Sequence, residues 1–277
     1  GYIAQDFATM DFDMQNQDIF NGKCGIFVGD VWASYWPLNL HLDVDPEADW
    51  IAVPVVSGPY GEGKVARDVA QTQNILVATK GCEHPEALVK MTNLYHDLNN
   101  NPETMEFNTF NTDPTDNNQP FLMYPLPIFN PSFNYEGHVA IKEAQKTGNT
   151  DDLCEAYKQF YDQAMAWENE GDKAGFPAYR AYLTEGTSFE VIENYLDNKL
   201  IVFNEFTSEE TPFMIENGPT VKKMYDEMAV QIITGKADIT AFDSFLKSWD
   251  EIYGNTATEE VNEWFQNKGG VSVQSQM

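Results

Sequence analysis

Phe20-Asn21-Gly22-Lys23-Cys24-Gly25-Ile26-Phe27-Val28-Gly29-Asp30-Val31-Trp32-Ala33-Ser34-Tyr35-Trp36 is the stretch on which the reading of this chain turns. Asn21-Gly22 is a turn signal, Cys24 to Val28 is a short apolar run that predicts a strand, and Gly29-Asp30 ends it. Trp32, Tyr35 and Trp36 follow within five positions. Flat rings beside a carboxylate at the open end of a sheet are a way to hold a sugar. The C–H face of a sugar ring packs on an aromatic surface, and its hydroxyls need acceptors such as an ionised Asp30. The same pattern also describes aromatics closing a core over a buried strand, so the neighbouring segments have to decide.

Asp6 to Phe20 has roughly helical spacing ahead of the turn. Apolar strands are predicted at Trp50 to Val56 and at Asn74 to Ala78, with Ser57-Gly58-Pro59-Tyr60-Gly61-Glu62-Gly63 a loop between them. Pro85 and Glu86 suit the first turn of a helix that carries Leu88, Met91, Leu94, Tyr95 and Leu98 and ends at Asn99-Asn100-Asn101-Pro102. Asn101 to Asn134 is rich in Asn, Pro and Asp without a period, and reads as a crossing between lobes. Helices are predicted at Glu136–Lys146, Thr150–Asn169 and Ser188–Lys199, then a strand at Leu200–Phe203. Asn217-Gly218-Pro219-Thr220 reads as the opening of a helix with a stripe at Met224, Met228 and Ile232. A further stripe from Ile239 to Ile252 is expected to stop at Gly254, and Thr256 with Glu259 to cap a last helix.

The 277 residues hold 42% apolar and 13% aromatic side chains, ample for real cores. A formal charge of −28 repels nucleic acid phosphates and anionic lipid surfaces, so neither is expected as a partner. Cys24, Cys82 and Cys154 lie far apart with no CxxC pair, so no zinc site or disulfide framework is expected, and buried, inert thiols are. No apolar run approaches a membrane span. Asp11 to Asp18 has the look of a calcium loop, but Asn16 and Gly22 stand where glycine and glutamate are needed. No Gly-x-Ser-x-Gly elbow, phosphate loop or paired histidine motif is present, and nothing in the spacing selects a catalytic pair among Asp11, Asp13 and Asp30. No enzyme activity and no cofactor are therefore expected.

The order of these segments resembles a family. Phe20 to Trp32, then Val53-Pro54 with Gly58-Pro59-Tyr60-Gly61, then His84-Pro85-Glu86-Ala87, is similar to the middle of a family 1 extracellular solute-binding protein, a sugar receptor of ABC importers. Ile232-Ile233-Thr234-Gly235, Ile239 to Phe245 and Glu259 to Phe265 resemble the end of its large lipoprotein branch from Gram-positive bacteria. The resemblance covers the C-terminal half of such a protein. It implies an α/β, two-lobed, periplasmic-binding-protein-like type II fold, with 1–65 in the second lobe, 66–120 in the first lobe with the crossing, and 121–277 the helical remainder. It further implies an oligosaccharide ligand, ABC permease subunits as partners, and an extracellular location held by an N-terminal lipid anchor that this chain does not contain. Gly1 opens on residues that read as the interior of a domain, so the chain is expected to start partway through a longer gene.

In related maltose-type receptors an aromatic soon after the strand-ending glycine stacks on sugar, and Trp32 matches it. Asp30, Tyr35 and Trp36 join it as physical neighbours, and Tyr60 as a glycine-flanked loop aromatic. Two other readings remain open: a carbohydrate-active enzyme or its accessory module, and a peptide receptor on the same fold. The peptide reading needs an arginine clamp for a carboxylate, and Arg67 and Arg180 are the only arginines.

Overall fold

The computed structural model describes residues 3–59, 61–68, 75–99, 132–183 and 185–270. The chain is mixed α/β and mostly helical, and it divides into two compact units. One takes Met10–Lys64 and Thr72–Leu200, the other Gly1–Thr9, Val65–Gln71 and Ile201–Met277.

The first unit begins with α1, Phe12–Phe20, whose N-cap Asp11 accepts the Met14 N–H at 2.8 Å. A 3-10 turn follows at Leu38–Asp43. Then come α2 (Glu86–Asn99), α3 (Phe133–Thr147), α4 (Glu155–Glu170), α5 (Phe176–Tyr182) and α6 (Ser188–Asp197). The core lies where α3, α4, α5 and α6 meet. Ala164, Ala178 and Ala181 are fully buried, and their small size lets α4 and α5 approach while Ile141, Phe160, Tyr182, Leu183 and Phe189 fill the remaining space. The Tyr182 ring stacks on Phe160 at 4.7 Å and on Phe189 at 5.0 Å. Each such ring taken out of water contributes about 1.5–3 kcal/mol. Gly175 lies so close to α4 that a Cβ there would stand 2.0 Å from the Gln163 carbonyl oxygen, so only glycine lets α5 start against α4.

In the second unit, β1 (Val65–Asp68) and β2 (Ile201–Asn204) form a two-stranded parallel sheet with Val65 opposite Ile201 and Asp68 opposite Asn204. Three helices follow, α7 (Pro212–Ile233), α8 (Ala241–Trp249) and α9 (Asn255–Asn267), with a π-helical turn at Asp250–Gly254 joining α8 to α9. Thr211 caps α7 by accepting the Met214 N–H, and its hydroxyl donates to Glu260 on α9 at 2.6 Å. Phe213 stacks on Tyr253, and Phe206 meets Trp264 edge-on.

Several expectations are corrected. Cys24 to Val28 is not a strand, and Ile26 and Val28 are 87% and 95% exposed. Residues 51–56 and 75–78 are likewise without strand structure, while Asn74 lies outside the described residues. The reason is common to all three. An apolar run becomes a strand only when another strand takes its backbone N–H and C=O groups in register, and among the described residues none pairs with these runs; the Ala52 N–H goes instead to the Gly186 carbonyl and the Val55 N–H to the Tyr195 hydroxyl. The strand at β2 falls within one residue of its predicted place. Asn217 to Thr220 does not open a helix but lies inside α7, which starts at Pro212. Gly254 does not stop a helix either. It is glycine because the Trp249 ring lies against it, with a Cβ there only 2.2 Å from the ring, and the chain runs on into α9 without a Thr256 cap. Of the three thiols, Cys82 is exposed and Cys24 and Cys154 are part-buried, so the expectation of buried thiols fails. The predicted crossing lies almost wholly outside the described residues.

Candidate functional site

Val31 to Pro37 forms a chain of turns that Asp30 starts by accepting the Trp32 N–H on Oδ1 at 2.8 Å. Ser34, fully inside, fixes the turns to α5 by donating its hydroxyl to the Pro177 carbonyl at 3.0 Å. Trp32 is thereby set over the core. Its ring meets Tyr35 at 5.7 Å, Phe189 at 5.8 Å and Tyr182 at 6.5 Å, each at a steep angle, and it remains 38% exposed. A large ring held by three others yet partly in solvent offers an apolar surface at small entropic cost, because its rotamer is already fixed. Asp30 is exposed, and its second carboxylate oxygen takes no hydrogen bond from the described residues.

The other expected residues divide. Tyr35 packs into the core, its hydroxyl is shut off from solvent, and burial pushes its phenol well above the ordinary value. It backs Trp32 instead of facing a ligand. Trp36 is 45% exposed and lies against Phe12 and Phe20 of α1, at 5.3 and 6.4 Å, a separate aromatic patch. Tyr60 lies outside the described residues. The structure therefore brings Asp30, Trp32 and Tyr35 together and leaves Trp36 on a different cluster.

Three residues behind Trp32 were not among those expected: Tyr182, Phe189 and His138. Phe189 is legible as an apolar position of α6. Tyr182 belongs to α5, a seven-residue helix too short to leave a periodic signal, with Pro177 in its first turn reading as a breaker. His138 on α3 is fully buried and stacks on Phe189 at 6.0 Å. Its Nδ1 lies 2.7 Å from the Tyr182 carbonyl oxygen, which fixes that nitrogen as the donor. Nε2 has no hydrogen-bond partner and stands 3.8 Å from the Glu193 carboxylate, which is itself paired with Lys142. Burial lowers the His138 pKa despite the Tyr182 carbonyl and Glu193, so the ring is neutral at pH 7. The Lys142 ammonium holds the Glu193 carboxyl below the ordinary value.

A second feature of the same unit is a hollow of about 460 Å³ lined by Ile51, Gln145, Glu168, Tyr179, Arg180 and Glu185. Arg180 is the arginine that a carboxylate clamp would need. Its Nε donates to Asp49 at 2.9 Å, its Nη2 pairs with the same carboxylate, its Nη1 donates to the Glu185 carbonyl, and the group lies over the Tyr179 ring. The guanidinium is spent within the fold. Arg67 stands on β1, in the other unit. Among the described residues no group of three His, Cys, Asp or Glu side chains is placed to hold a metal, and no helix is long and apolar enough to cross a membrane.

No protein-family model, no curated protein and no solved structure matches this chain.

Proposed function

We propose that this chain is the carbohydrate-binding portion of an extracellular solute-binding protein of the periplasmic-binding-protein-like type II fold, which hands an oligosaccharide unchanged to the permease subunits of an ABC importer. The observation that carries the reading is Trp32, fixed by three rings and still 38% exposed, next to the exposed Asp30. A ring fixed in that way and left partly in solvent stacks on a sugar face, and the carboxylate beside it accepts hydroxyl protons. The order of the family-like segments in the sequence supports the same reading. Commitment of Arg180 to Asp49 and to the Glu185 carbonyl removes it as a clamp for a peptide carboxylate in the unit that carries Trp32.

Calorimetry of the protein against a panel of neutral oligosaccharides, with short peptides of similar size as controls, tests the proposal. Heat is expected with at least one oligosaccharide and with no peptide. Heat with a peptide alone would overturn it, and new reducing ends released from the sugar would turn the reading to an enzyme.

A further inference from the structure

His138 sits directly behind the Trp32 platform. Its ring stacks on Phe189 at 6.0 Å, and Phe189 in turn meets Trp32 at 5.8 Å. Its Nδ1 is bound to the carbonyl of Tyr182, whose ring also meets Trp32. Two contacts therefore separate the imidazole from the proposed sugar surface. The Nε2 lone pair is buried, unpartnered, and 3.8 Å from a carboxylate oxygen of Glu193, an arrangement in which two acceptors face each other. Adding a proton turns Nε2 into a donor facing that acceptor.

The ionisable groups around the ring can be named element by element. On α3 itself they are Lys142 and Tyr135, whose ring is 6.4 Å away; on α5, Tyr182; on α6, Glu193, with Asp197 acting on Tyr135. Tyr157 on α4 and Tyr182 are kept neutral by burial, so Glu193 and Lys142 are the charges that decide what the imidazole does. Glu193 and Lys142 keep 25% of their side-chain surface in solvent, and their pair can open without exposing the core.

We propose that His138 is an acid-operated control of the Trp32 platform: a proton taken up at Nε2 draws the Glu193 carboxylate away from Lys142, and the resulting shift of α6 reaches Trp32 through Phe189. The control of ligand binding rests on the carbohydrate reading above, whereas the coupling of His138 to Trp32 does not. A packed core has discrete arrangements, so a small movement at Glu193 is transmitted through the stacked rings without being absorbed locally. The platform is then in one state at neutral pH and in another in acid.

Nuclear magnetic resonance of the chain between pH 8 and pH 5, without sugar, tests the coupling. The chain has four histidines, and the His138 signal is the one lost in His138→Gln. The Trp32 indole N–H signal is the one lost in Trp32→Phe. The expected result is that His138 titrates below the ordinary imidazole value of about 6.5, and that the Trp32 signal moves with the same midpoint. Glu193→Gln is expected to push that midpoint further down, and Lys142→Met to raise it. A Trp32 signal that stays still while His138 titrates overturns the proposal, as does a midpoint indifferent to Glu193→Gln, or a His138 that takes no proton before the protein unfolds. With a sugar that binds at pH 7.5, affinity is expected to change about fivefold or more by pH 5.5 in the native chain and not in Glu193→Gln. Equal affinities at the two pH values would remove the control of binding. Failure of every sugar to bind would count against the proposed function and leave the coupling to stand or fall on the sugar-free spectra.

Discussion

Gly175 and Tyr182 show how much of the first unit hangs on single positions. A Cβ at Gly175 would meet the Gln163 carbonyl oxygen at 2.0 Å and the Trp167 nitrogen at 2.9 Å, both of them backbone atoms of α4 that cannot swing aside. Gly175→Ala is therefore expected to cost about 2–4 kcal/mol in urea unfolding, well beyond an ordinary surface change. Tyr182→Ala removes a ring stacked on Phe160 and Phe189 and is expected to cost about 3–5 kcal/mol, whereas Tyr182→Phe loses only the hydrogen bond to Asn134 and is expected to cost about 1 kcal/mol. A ratio near one between those two losses would mean that the Tyr182 ring is not where the core energy lies. Neither residue was legible as critical. Gly175 is one of 18 glycines, and what distinguishes it is a distance to another helix, which no local pattern encodes. Trp32 was legible in kind, since its position after a glycine-ended apolar run marked it as important. What the sequence did not carry was that Tyr35 would turn inward beneath it.

Between elements, the helices followed their periodicity and the strands did not. The positions of α3, α4 and α6 are near those read from spacing because an amphipathic helix satisfies its own backbone and needs only one covered face. Cys24 to Val28 and Ile51 to Val56 have strand composition, but a strand is completed by a partner, and the partner is not written in the segment. The helix of α7 contains Pro219, which removes one backbone N–H and crowds the carbonyl of Ile215. Pro219→Ala is expected to raise stability by about 1–3 kcal/mol together with the helical signal in circular dichroism. Thr211→Ala removes the α7 cap and its bond to Glu260 and is expected to lower stability by about 1 kcal/mol; no change would mean that Thr211 does not join α7 to α9. His138 joins α3, α5 and α6, and its sign can be worked out. The folded state lowers its pKa, so its contribution is fully present above the unfolded value near 6.5 and is lost as pH falls below it. Thermal unfolding is accordingly expected to come at lower temperature at pH 5.5 than at pH 7.5, with a smaller difference in His138→Gln.

For the molecule as a whole, charge is the property most completely legible from composition. With a formal charge of −28, the compact state carries strong self-repulsion, and adding salt to about 0.3 M is expected to raise the unfolding temperature by screening it. The same charge keeps apart molecules that expose Ile26, Val28, Val53 and Val77. The division into two units was not legible in detail, because β1 and β2 pair residues about 136 positions apart through a register that neither strand specifies alone. Function rests on one surface. The most direct test is calorimetric titration of the native chain and of Trp32→Ala with an oligosaccharide that binds, using Tyr35→Phe as the control for the buried neighbour. Trp32→Ala is expected to bind about tenfold or more weakly, a loss of about 1.4 kcal/mol or greater, and Tyr35→Phe to bind as the native chain does. Equal affinity in the native chain and Trp32→Ala would contradict it.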